Sequence, residues 1–86
     1  MIKKPEHQVA WVELVDHLAE AGEHIESLVQ QMIEDPEIQE EEFAVDMGHI
    51  YAHLNRVWNS RNSTVGLSQE DWDETTKFPT DLVPLG

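Results

Sequence analysis

The chain has 86 residues, eighteen acidic and five basic, for a net charge of −13, and no cysteine. That length holds one small domain and leaves no cleft between domains. The charge disfavours direct contact with nucleic-acid phosphates or an anionic membrane, and the missing cysteines exclude a disulfide framework, a thiolate zinc site and a cysteine nucleophile.

The opening "MIKKPEHQVAW" places two lysines ahead of acidic residues with no apolar run behind them. That is not a secretory signal, and the expected setting is soluble and cytoplasmic. Pro5-Glu6 suits the start of a first helix over residues 7–34, with acids near its positive end. Trp11, Leu14, Val15, Leu18, Ala21, Gly22, Ile25, Leu28, Val29, Met32 and Ile33 recur at spacings of three and four, an amphipathic pattern. Gly22 costs about 1 kcal/mol against alanine in a helix interior. Its place on the apolar face suggests close approach by a neighbouring helix.

Asp35-Pro36 reads as a stop and restart, because a residue before proline avoids the helical region and proline suits a first turn. A second helix is expected over 36–59, with Phe43, Met47, Ile50, Tyr51, Leu54, Val57 and Trp58 as its apolar stripe. The short connection folds the two helices into an antiparallel hairpin. Residues 59–68 are loop-like. Ser68 and Asp71 resemble a capping box for a short third helix over 68–77, anchored by Trp72. The tail 78–86 contains two prolines, so it is read as extended, with Phe78, Leu82, Val83 and Leu85 strapped over the hairpin or offered to a partner. The expected fold is therefore all-α: a long antiparallel helical hairpin, a short third helix and an extended apolar C-terminal tail. A core this small is commonly completed by a second copy, so a homodimer is expected.

Folding back at residues 35–36 sets residue i opposite residue 71 − i. That brings Trp11 near Trp58, with Trp72 able to join an aromatic plug, His17 opposite His53, and His24 opposite Asp46. His17, His24, Asp46, His49 and His53 fall on matching flanks of the two helices, which meet for one hand of packing and diverge for the other. If they meet, His17, His49 and His53 can approach with Asp46 or Glu20 as an oxygen ligand. Imidazole nitrogen and carboxylate oxygen at such spacings suit a divalent transition metal such as zinc. The same residues also suit the polar edge of an ordinary amphipathic helix.

Nothing in the chain assembles an activated nucleophile: Ser60, Ser63 and Ser68 lie in loop sequence with no glycine elbow, and Gly66 stands alone. The expectation is a non-enzymatic acidic interaction or regulatory module with a protein partner, basic by charge. Arg56 and Arg61 are candidate contact residues at the end of the second helix, and Glu13, Asp16, Glu20 and Glu23 form the acidic face of the first. Two alternatives stand beside it: a metal-binding helical protein using Asp46, His49, His53 and His17, and an acidic inhibitor that mimics nucleic acid toward a basic protein.

Overall fold

The computed structural model describes residues 1–66 and 72–86 and is all-helical. Helix α1 runs Gln8–Glu34, α2 runs Glu40–Asn59, and α3 is the single turn Trp72–Thr75. The two long helices pack against each other as a hairpin. The Ser68–Asp71 cap lies outside the described residues.

The connection between α1 and α2 is longer than the sequence suggests. Asp35 adopts an extended conformation before Pro36 and closes α1 through its N–H to the Gln31 carbonyl. Its carboxylate Oδ1 then accepts the Glu37 N–H at 3.1 Å, and its carbonyl accepts from Ile38. This Asx turn takes residues 36–39 out of the expected second helix, which starts at Glu40 with three glutamates in its first turn.

The face of α1 toward α2 carries Ala10, Leu14, His17, Ala21, His24, Leu28 and Gln31. Of these, Ala10, Leu14, Ala21 and Leu28 are buried. Ala21, only 1% exposed, has no bulk to hold the helices apart at mid-length. Ile50, Asn55 and Arg56 are buried on α2. The N-terminal segment contributes a core residue the periodicity did not reveal: Ile2 is buried with Ala10 and Leu14, beside Trp11 and Val57. The Ile2 N–H donates to the Arg61 carbonyl at 2.8 Å.

The three tryptophans do not form a plug. Trp11 belongs to the Ile2 cluster, Trp72 lies under the Arg56 guanidinium, and Trp58 stacks with Arg61. The indole N–H of Trp58 donates to Asp81 Oδ1 at 2.8 Å. Residues 75–84 run along α2. Asn55 donates to the Thr76 carbonyl, Asn59 donates to those of Thr75 and Lys77, and Phe78 meets Tyr51 edge to face. No helix among the described residues is long and apolar enough to cross a membrane.

Candidate metal centre

The hand of the hairpin is the one that brings the histidine flanks together. His17 Nδ1 lies 3.0 Å from His53 Nδ1, and His53 Nδ1 lies 3.4 Å from Glu20 Oε2. One donor atom from each of His17, Glu20 and His53 falls within a 4.8 Å group. Helical geometry explains the set: His17 and Glu20 are three residues apart on one face of α1, and His53 faces them across the seam. The rings continue along the seam. His24 stacks on His53 at 5.3 Å and 22°, and meets His49 edge-on at 5.6 Å.

Two expected participants stand apart from this group. Asp46 borders a surface recess with Gln31, Glu41, Glu42 and Val45. It shares a face with His53, but seven residues of helix separate them by about 10 Å along the axis, too far for one ion. His49 is exposed, lies outside the donor group and meets the His24 ring edge-on. Glu20 takes the oxygen position. Its spacing from His17 in "HLAE" was the available sequence signal.

Burial lowers the His17 pKa below 6.5, helped by the positive Arg56 and opposed by Glu20, Glu13 and Asp16. Burial also lowers that of His53, where the Glu20 carboxylate opposes and the other three rings of the seam reinforce the shift. Both rings are therefore neutral near pH 7, the form that binds metal. With neither ring charged, the 3.0 Å contact is a hydrogen bond in which one Nδ1–H donates to the other Nδ1.

The spacing is close to that of a coordination polyhedron. Bonds of about 2.0–2.2 Å place tetrahedral donors about 3.3–3.6 Å apart; the 3.4 Å separation falls within that range, and the 3.0 Å one is shorter by a few tenths of an ångström. The Glu20 side chain is 55% exposed and free to adjust, while that of His53 is 14% exposed and fixed by its neighbours. Two nitrogens and one oxygen would leave a fourth position for water or another ring.

The other sequence candidates have local roles. Arg56, 3% exposed, lies 3.4 Å over the Trp72 ring. Arg61 stacks 3.8 Å over Trp58 and pairs with Asp81 at 3.2 Å. Both arginines are thus engaged within the chain. The Trp58 hydrogen bond, followed by the Arg61 contacts, lowers the Asp81 pKa. Glu13 is half-buried and approaches Gly66, whereas Asp16, Glu20 and Glu23 are exposed along α1. No family model, curated protein or solved structure matches the chain.

Proposed function

We propose that this is a small helical metal-binding protein that holds one divalent transition ion between α1 and α2 through His17, Glu20 and His53. The observation that carries the reading is the donor cluster: His53 Nδ1 lies 3.0 Å from His17 Nδ1 and 3.4 Å from Glu20 Oε2, with all three residues inside a 4.8 Å group, and an ion would take the place of the proton held between the two rings. Two imidazoles and one carboxylate suit zinc, nickel, cobalt or copper, and disfavour calcium and magnesium, which take oxygen ligands. Because the ligands come from both helices, the ion also ties the hairpin together.

The test is a zinc titration of chelator-stripped protein, followed by calorimetry and thermal unfolding. One ion per chain is expected, with a stabilisation of about 2.7 kcal/mol at a hundredfold excess over Kd. His17→Gln/His53→Gln should abolish both effects, and Asp46→Asn should leave them intact. Zinc binding that survives the double substitution, or none at micromolar zinc, overturns the reading.

A second reading is the acidic interaction module, directed at a basic protein or acting as a nucleic-acid mimic. Its support is the exposed run Asp16, Glu20 and Glu23, on a chain with no lysine or arginine between Lys4 and Arg56. Heparin competition for a basic target separates the two, since the acidic surface should work equally well in chelator.

A further inference from the structure

We infer that the outer face of α1 is covered by a second copy of this chain, packed antiparallel about Gly22. Each residue of the face toward α2 is followed by one on a second stripe, about 100° round the helix. That second stripe is Trp11, Val15, Leu18, Gly22, Ile25, Val29 and Met32, spaced 4,3,4,3,4,3 without a charged residue. Val15, Leu18, Ile25, Val29 and Met32 are each between 44% and 50% exposed. The stripe runs about 30 Å; Met1 and Val57 border its Trp11 end, and residues 75–84 lie on α2, so they do not cover the rest.

Two features select the occupant. An unbroken four-three spacing over this length is the seam of a helix–helix pair, into which knobs from a partner helix of similar length pack. The stripe is also self-complementary. Reading outward from Gly22 in either direction, an aliphatic γ- or β-branched residue comes first (Leu18 or Ile25), then a valine (Val15 or Val29), then a large residue (Trp11 or Met32). An antiparallel two-fold axis at Gly22 therefore places Leu18 of one copy against Ile25 of the other, and Val15 against Val29, to within one residue. Such reciprocity is what an isologous interface requires. At the axis itself, a Cβ on Gly22 would meet nothing within 4 Å, leaving open space for the second backbone to approach. The result is a four-helix assembly in which each hairpin supplies two helices. It does not depend on the metal site.

The experiment is sedimentation equilibrium of the full chain in chelator, across micromolar to millimolar concentration. The expected mass is twice the 9.9 kDa chain, falling to one chain in Ile25→Glu/Val29→Glu. Both positions are half exposed in the single chain, so circular dichroism should retain its helicity. The chain lacks cysteine, so a mixture of the Val15→Cys and Val29→Cys variants, and as a control one of Asp16→Cys and Gln30→Cys, can be treated with a short bis-maleimide. Cross-linking of the 15/29 mixture should exceed that of the 16/30 mixture at least tenfold. A monomer at every concentration, a dimer that survives the double substitution, or equal cross-linking in both mixtures overturns the inference.

Discussion

His17 on α1 and His53 on α2 face each other with their Nδ1 atoms 3.0 Å apart, so one proton is shared where two would repel. This contact makes the hairpin sensitive to acid. Both rings have pKa values below 6.5 in the folded state, so the unfolded chain binds more protons than the native one as pH drops past 6.5. Their contribution to stability is complete above pH 6.5 and is lost as pH falls toward the folded pKa values. In chelator, the urea midpoint should decrease from pH 7.5 to pH 5.5. Replacing both rings with glutamine should flatten the part of that slope due to them, while an unchanged slope would show that other groups control it.

Arg56 should matter through its shape more than its charge. The guanidinium is buried over Trp72, and its Nε and Nη1 have no hydrogen-bond partner among the described residues. Arg56→Ala should cost about 2–3 kcal/mol from the lost stacking and side-chain packing. Arg56→Met should recover most of this, because it refills the volume and removes two unsatisfied donors. Arg56→Lys should not, since an ammonium lacks the planar surface that stacks on the indole. Urea denaturation of the three variants would reveal a charge-based role if lysine, rather than methionine, restored stability.

Gly66 has φ +82°, and a Cβ placed there would come within 2.6 Å of Glu13 Oε2. The near atom is the far end of a long side chain, not backbone, so the left-handed conformation sets most of the penalty. Gly66→Ala should destabilise by about 1–2 kcal/mol. Combining it with Glu13→Ala should restore only a small fraction. A full rescue in chemical denaturation would mean that crowding, not the left-handed backbone, requires glycine.

Salt should stabilise the fold. With a net charge of −13, self-repulsion opposes the compact state. Raising ionic strength from about 0.01 M to about 0.15 M shortens the screening length from about 30 Å to about 8 Å. The melting temperature in chelator should therefore rise over that range, and scanning calorimetry would contradict the expectation with a flat or falling trend.

The two long helices and their antiparallel arrangement are legible because apolar spacing and Asp35-Pro36 are local signals. The opposition of His17 and His53 follows from register once the chain turns near residue 36. The hand of the hairpin is not local. It decides that the histidine flanks meet, and it emerges only when small residues such as Ala21 let one particular face approach α2. The choice of Glu20 over Asp46 depends on the same seam and on axial distance, since angular position alone makes Asp46 look equivalent. The separation of Trp58 and Trp72 from Trp11 is not legible, because periodicity registers apolar surface but not Arg56, Arg61 and Asp81, which engage those two indoles. Ile2 carries no periodic signal, and its burial beside Ala10 and Leu14 comes with a backbone hydrogen bond to Arg61, a residue distant in sequence at the open end of the hairpin.

Asn55 and Asn59 hold the segment after α3 by its carbonyl groups at Thr75, Thr76 and Lys77, not by its side chains. Every amino acid presents that same carbonyl. Mutational drift at 75–77 should therefore leave these three anchors in place, whereas exchange of either asparagine removes the reader itself. Evolutionary constraint on this part of the molecule should accordingly fall on α2, and the strand of chain it grips should be freer to vary.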